Sequence, residues 1–266
     1  MIGIVGLGFV GGSALKSFSL KKVDVVGYDK YKDGGIGSID EILKTSICFL
    51  CLPTLFKEDI NAYDKTAIHE VCTILADKKY NGIVVIKSTV EPETTISLHT
   101  TYPSLLFAHN PEFLTARSAF EDFHTQSHIV IGLVESLEHK TKHALNSFYA
   151  TYYPDAERSF CSSTESESMK IMCNSFYASK IMLFNEYYLM CKKNGTDFNK
   201  IRDLMLKNNW INPMHTTIPG PDGKLGYGGA CFPKDTQALR SYINSKGSKC
   251  IVLQAVIDEC NDIREE

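Results

Sequence analysis

Residues 1–20, MIGIVGLGFVGGSALKSFSL, constrain the fold more than any other stretch. An apolar strand-like run passes without a linker into Gly6-Leu7-Gly8-Phe9-Val10-Gly11 and then into a helix-compatible segment. A strand that turns through glycines straight into a helix is the first half of a βαβ unit, and its helix must pack back onto a largely parallel sheet. Small residues are needed where the turn is tight and where the backbone approaches a diphosphate. The unsatisfied N–H groups of the helix N-terminus then favour negative charge. Gly6, Gly8, Val10 and Gly11 are the expected cradle of a dinucleotide.

The next strand-like run ends on Asp29, 18 residues after Gly11. A carboxylate there accepts both hydroxyls of an adenosine ribose and disfavours a 2′-phosphate, so the expected cofactor is NAD rather than NADP. Lys30 beside it weakens that preference without reversing it.

The first half of the chain continues the alternation. Strand-like runs MIGIVG, VDVVGYD, SICFLCLP, GIVVIKST, LLFAHNPEF and SHIVIGL are separated by helix-length stretches such as GGSALKSFSL and KTAIHEVCTILADKK. Past about residue 155 the pattern becomes helical: a long helix from SSTESES to KKNG, a second in DFNKIRDLMLKN, a third in TQALRSYINSKG and a last in CIVLQAVIDECNDIREE. Leu253, Val256, Ile257 and Cys260 fall on one face of that last helix. The expected architecture is α/β: an N-terminal Rossmann-type, doubly wound parallel sheet over residues 1–155, then an α-helical domain over residues 156–266.

Composition narrows the function classes. Hydrophobic residues make up 44% and charged residues 22%, and the net charge of -3 offers neither a nucleic-acid surface nor a basic membrane patch. Nine cysteines, an odd number without a compact framework, suit reduced thiols. With no signal peptide and no apolar run of membrane-spanning length, the chain is expected to be soluble and cytoplasmic. Asn194-Gly195-Thr196 is then a chance sequon.

Most cysteines and histidines read as structural. Cys48 and Cys51 form C-x-x-C inside a strand, where residues three apart diverge, so buried thiols are expected rather than a redox or zinc pair. Cys72, Cys173, Cys191 and Cys260 lie in helix-like apolar surroundings. His139 and His143 have helical spacing on a charged segment, which suits a solvated face, and no metal site is expected. Cys231, in GYGGACFPKD, differs. Gly226, Gly228 and Gly229 remove bulk before it, Pro233 is expected to stop a helix from starting early, and Lys234 and Asp235 bring charge within reach of the thiol. A nearby cation favours thiolate, hence a nucleophile; a glycine turn with a bystander thiol is the other reading.

GYGGACFPKD resembles the catalytic-cysteine signature of the UDP-glucose/GDP-mannose dehydrogenase family. GLGFVG with Asp29, CLPT at 51–54, KSTV at 87–90, NPEFL at 110–114 and SMKIMCNSF at 168–176 match that family in the same order. The resemblance implies a nucleotide-sugar substrate, UDP-glucose first, whose primary alcohol is oxidised to a carboxylate with two NAD in sequence. It implies Cys231 as the nucleophile, forming a thiohemiacetal and then a thioester. Lys170 would stabilise the oxyanion and Asn174 would help position it. Asp235 would activate water, and Glu112 would contact substrate and serve as a candidate base, with Phe113 and Leu114 beside it on the substrate. Thr89 would touch cofactor and water, Thr54 and Lys234 would contact cofactor, and Gly228 would offer backbone to the sugar.

Two departures stand out. The position four residues after the NPE acid, commonly glutamate in that family, is Ala116, followed by Arg117. Family members also carry a third, C-terminal domain over the nucleotide, whereas these 266 residues reach only the helix expected to lead to it. The expectation is a chain without that lid, paired as a homodimer through its helical domain. Other nucleotide sugars, a hydroxy acid, and a catalytically impaired NAD-binding subunit that modulates a full-length partner remain the alternatives.

Overall fold

Runs of branched apolar residues bury both faces of a strand, and Ile2–Val5, Ile47–Leu50 and Ile83–Ile86 are of that kind. The computed structural model describes residues 1–265. In chain order its elements are β1 (Ile2–Val5), α1 (Phe9–Leu20), β2 (Val25–Tyr28), α2 (Ile39–Ile42), β3 (Ile47–Leu50), β4 (Phe56–Lys57), β5 (Ala62–Tyr63), α3 (Thr66–Asp77), β6 (Ile83–Ile86), α4 (Thr94–Thr101), β7 (Leu106–His109), α5 (Ala119–His124), β8 (His128–Leu133), α6 (Glu138–Tyr152), β9 (Glu157–Ser162), α7 (Ser163–Asn194), α8 (Phe198–Leu206), α9 (Phe232–Ser245) and α10 (Ile251–Glu265).

Seven strands form one sheet in the order β2-β1-β3-β6-β7-β8-β9. All neighbours pair in parallel except β7 with β8. Alternation along each strand feeds two apolar layers. Ile2 and Ile4 of β1 and Ile47 and Phe49 of β3 join Phe18, Phe123 and Phe148 on one face, where Phe18 and Phe148 meet edge-to-face at 5.2 Å. Val5, Cys48 and Leu50 join Ile68, Leu75 and Phe107 on the other. β1 lies between β2 and β3, so the order in which strands are added switches from one side of β1 to the other there. The crevice at the carboxyl ends of β1 and β3 is where an open α/β sheet takes a ligand.

The chain divides into two compact units, Met1–Leu55 with Tyr63–Lys170, and Phe56–Ala62 with Ile171–Glu266. The division falls inside α7. The reason is β9: Glu157–Ser162 pairs in parallel with β8 along its whole length and extends the sheet. The short 56–62 segment joins the helical unit, where Ser241 Oγ of α9 donates to the Asn61 carbonyl at 2.6 Å. In that unit Ala178, Met182, Tyr227 and Cys260 pack together, as do Phe184, Cys191, Phe198 and Ile218. Leu253, Ile257 and Cys260 of α10 face inward, as their spacing predicts. One local expectation is corrected. Pro233 does not delay α9, which begins at Phe232 with the proline in its first turn, where a missing N–H costs nothing.

His109, at the end of β7, is fully buried and its Nδ1 lies 2.8 Å from Ser166 Oγ. Burial, with the charges of Lys87 and Lys170, pushes it down to about 3. The unfolded chain therefore binds a proton below the ordinary histidine range that the fold does not. The contribution is fully present above pH 6.5 and is lost as pH falls, by about 2 kcal/mol between pH 6.5 and 5. Urea unfolding followed by circular dichroism at these two pH values is expected to show that loss, and His109→Gln to flatten it. An unchanged slope in the variant would contradict the assignment.

Candidate functional site

The glycines after β1 divide two tasks between them. Gly6 has φ +87°, and a Cβ there would lie 2.4 Å from the Cys51 carbonyl oxygen; a Cβ on Gly11 would lie 1.8 Å from the Gly6 carbonyl oxygen. Those two positions close the turn. Gly8 has nothing within 4 Å of a Cβ position and leaves the approach to the α1 N-terminus open. As N-cap it supplies no side-chain bond, so the first-turn N–H groups keep their capacity for an anion. Val10 stands half-buried in that turn.

Asp29 follows β2 and turns back onto the same loop. Its Oδ2 accepts from Leu7 N at 2.8 Å, and its Oδ1 from Tyr31 N at 3.0 Å and Lys32 N at 2.9 Å. Burial works to raise its pKa, but the backbone donors from Leu7, Lys32 and Tyr31 and the Lys32 charge outweigh that, and the carboxyl is held below the usual range. Three of about four lone-pair positions are used, which leaves room for a ribose hydroxyl. Lys30 is not the cation at this site: its ammonium pairs with Glu70 at 2.5 Å. Lys32, which sequence reasoning missed, donates from Nζ to the Leu7 carbonyl at 2.7 Å. Loop, helix end and carboxylate together fit a dinucleotide.

Polar residues gather at the carboxyl ends of the neighbouring strands. Thr54 Oγ1, beyond β3, donates to the Thr89 carbonyl beyond β6 at 2.7 Å. Glu112, beyond β7, pairs with Lys170 at 3.0 Å, both largely buried, and its Oε2 accepts from Leu114 N at 2.6 Å. The Lys170 ammonium lies 5.5 Å from the Phe113 ring centre. A cavity of about 300 Å³ is lined by Glu112, Phe113, Leu114 and Lys87. Lys87 is the KSTV lysine, to which the sequence assigned no role. It is 2% exposed and donates to Asn110 O at 3.1 Å and Oδ1 at 2.8 Å; burial pushes it down to about 8. Ala116 and Arg117 lie exposed on the loop after this cluster.

The remaining expected residues lie in the helical unit. Cys231 is the N-cap of α9 and the only exposed thiol among the nine cysteines. Its carbonyl accepts from Asp235 N at 3.0 Å in the first turn. Asp235 has no exposed surface, and its carboxylate accepts from Asn174 Nδ2 and from Lys234 Nζ, each at 2.6 Å. Gly226 and Gly229 take φ +71° and +80°, with Gly228 between them. Asn185 Oδ1, unforeseen from sequence, accepts from Gly226 N at 3.0 Å. His139 and His143 are exposed on α6, and Cys48, Cys72, Cys191 and Cys260 are buried; Cys173 is only half-buried, where a core position was expected.

Two domain models of one family match this chain. The NAD binding domain of the UDP-glucose/GDP-mannose dehydrogenase family aligns with residues 36–153, and the central domain with residues 164–262. The chain belongs to that family. A UDP-glucose 6-dehydrogenase of Haloferax volcanii is 32% identical over 239 residues, covering 82% of this chain and 53% of that protein. The chain spans about half the length of the curated relatives it matches. A UDP-glucose dehydrogenase structure from Pyrobaculum islandicum superposes with TM-score 0.82 at 26% identity, over 97% of this chain and 67% of the other. A 3-hydroxyisobutyrate dehydrogenase structure from Mycobacterium tuberculosis reaches TM-score 0.77 at 16% identity over 100% and 94%, a likeness of fold.

The sheet unit is thus the family's NAD binding domain, and its cofactor is NAD. Asp29→Ala is expected to weaken NAD binding by about 10- to 100-fold, the worth of one or two hydrogen bonds to a charged acceptor. Isothermal titration checks this; wild-type affinity in the variant would remove Asp29 from the cofactor site.

Proposed function

We propose that this chain is an NAD-dependent nucleotide-sugar dehydrogenase that oxidises UDP-glucose to UDP-glucuronate, with Cys231 as its nucleophile. The observation that carries this reading is the placement of Cys231: an exposed thiol on a glycine-rich turn, at the N-terminus of a 14-residue helix, one turn ahead of a fully buried carboxylate. A helix N-terminus favours thiolate over thiol.

When bound, NAD supplies the hydride acceptor. Gly6, Gly8, Val10, Gly11 and Asp29 would hold it, with Thr54, Thr89 and Lys234 as further contacts. Glu112, Phe113, Leu114 and Gly228 would contact the sugar nucleotide, Glu112 also serving as base. Cys231 Sγ would add to the aldehyde carbon to give a thiohemiacetal, with the Lys170 ammonium and Asn174 amide stabilising the oxyanion. After the second oxidation a thioester remains, and Asp235 would direct the water that hydrolyses it. Ala116, in place of a carboxylate, makes that hydrolysis the slow step in this reading.

The test is turnover with NAD and UDP-glucose, measured as NADH per sugar, alongside UDP-N-acetylhexosamines, GDP-mannose and small hydroxy acids. Two NADH per UDP-glucose are expected, and Cys231→Ser is expected to lose at least about 1,000-fold in kcat. Turnover of a hydroxy acid that survives Cys231→Ser would favour the two-domain hydroxy-acid dehydrogenase reading. Tight NAD binding with no turnover on any substrate would favour a modulating subunit.

The same reading includes a homodimer through the helical unit. Met172, Phe176, Leu183, Tyr187 and Met190 are exposed at spacings of four, seven, four and three residues along α7, a single apolar stripe. Sedimentation is expected to give a dimer for the wild type and a monomer for Phe176→Glu/Met190→Glu; a monomeric wild type would contradict it. No helix among the described residues is long and apolar enough to cross a membrane. A chain with nine thiols suits a reducing, cytoplasmic setting.

A further inference from the structure

The glycine loop that leads to Cys231 is bound on its carbonyl side by α10. Arg264 Nη1 donates to the carbonyl oxygens of Leu225 at 3.0 Å and Gly226 at 3.4 Å, and Nη2 meets Asp222 Oδ2 at 2.7 Å. One turn earlier on α10, Cys260 Sγ donates to the Tyr227 carbonyl at 3.3 Å. Three successive carbonyls, of residues 225, 226 and 227, are therefore each taken by an α10 side chain.

The glycines make room for this arrangement. A Cβ on Gly228 would lie 2.7 Å from Arg264 Nη2 and 2.9 Å from its Cζ; one on Gly226 would lie 3.0 Å from both Arg264 Cγ and Cys260 Sγ. Gly226 also has a positive φ, so its backbone geometry and the room for the arginine demand the same residue. The bond to Arg264 is the main reason the Asp222 carboxyl is held below the usual range. A planar guanidinium can serve two carbonyls and a carboxylate from one position, which a lysine ammonium on a flexible stem cannot do in the same geometry.

We propose that Arg264, braced by Asp222, is a positioning residue that fixes the backbone of residues 225–228 and so the direction in which Cys231 is presented. The proposal rests on the reading of Cys231 as nucleophile. Arg264 itself is given no contact with substrate or cofactor; it acts through the loop.

The test compares Arg264→Ala, Arg264→Lys and Asp222→Asn with wild type in the full chain by three readouts. These are hydrogen exchange of the 226–229 amides, the rate of Cys231 alkylation by iodoacetamide, and steady-state kinetics with UDP-glucose and NAD. In Arg264→Ala the loop amides are expected to exchange about 10-fold faster or more, and kcat/KM for UDP-glucose to fall at least about 10-fold. KM for NAD is expected to stay within about 2-fold, because the glycine turn and Asp29 that hold it in this reading lie on the sheet unit. Arg264→Lys is expected to recover part of the loss, and Asp222→Asn to give a smaller loss with the arginine still in place.

Unchanged exchange and unchanged turnover in Arg264→Ala would overturn the proposal. So would faster exchange spread along α9 and α10 with no preference for residues 226–229, since the arginine would then serve general packing. If Cys231→Ser kept full turnover, the nucleophile reading would fall, while exchange and alkylation at the loop would still decide whether Arg264 sets its conformation.

Discussion

A carboxylate taken wholly out of water must be met by donors, and in the helical unit Asp235 is met from both α7 and α9. The amide of Asn174 reaches it from α7 and the ammonium of Lys234 from its own helix, each at 2.6 Å. Leaving such a group unpaired costs several kcal/mol, so the pair fixes the first turn of α9 against α7. Cys231 is the cap of that same turn, and its carbonyl is held by the Asp235 amide. The exposed thiol is thus tied to a buried electrostatic anchor one turn away, which is the kind of support a reactive group needs to keep its direction.

The sheet unit uses different means to a similar end. Its central strands β1, β3 and β6 are buried on both faces, so polar groups gather at their carboxyl ends and hold one another there. Thr54 bonds the Thr89 carbonyl, Lys170 pairs with Glu112, and Lys87 is enclosed by Asn110, which Tyr149 also bonds at 2.5 Å. At the β1 turn the constraint is steric rather than electrostatic, because the space a Gly11 Cβ would occupy is already filled by the Gly6 carbonyl.

What could be read from sequence follows from which interactions are local. The glycine turn, Asp29 and the buried strands are legible because a short window contains the physics of each: a strand, a turn without Cβ atoms, an acid at the next strand end. The stripe of Leu253, Ile257 and Cys260 is legible for the same reason. β9 is not, since Glu157–Ser162 is polar, half-buried and defined only by its pairing with β8. Lys32 and Arg264 are charged residues in ordinary surface contexts, and only the fold brings them to backbone carbonyls 25 and 39 residues away in sequence. Lys87 lay inside a quoted motif, but its burial, which gives it meaning, is a property of the packed sheet. Pro233 was misread because proline ends helices from within yet is well suited to their first turn.

The family membership explains why the parts occur together; the chemistry assigned to Cys231 is the claim on which the functional account depends. The most direct measurement is a single-turnover reaction with excess NAD and limiting UDP-glucose, quenched early and followed by mass analysis of the peptide that contains Cys231. The account requires a sugar-nucleotide adduct on Cys231 that forms with NADH and decays as UDP-glucuronate appears. NADH formation with Cys231 unmodified at every time point would contradict it.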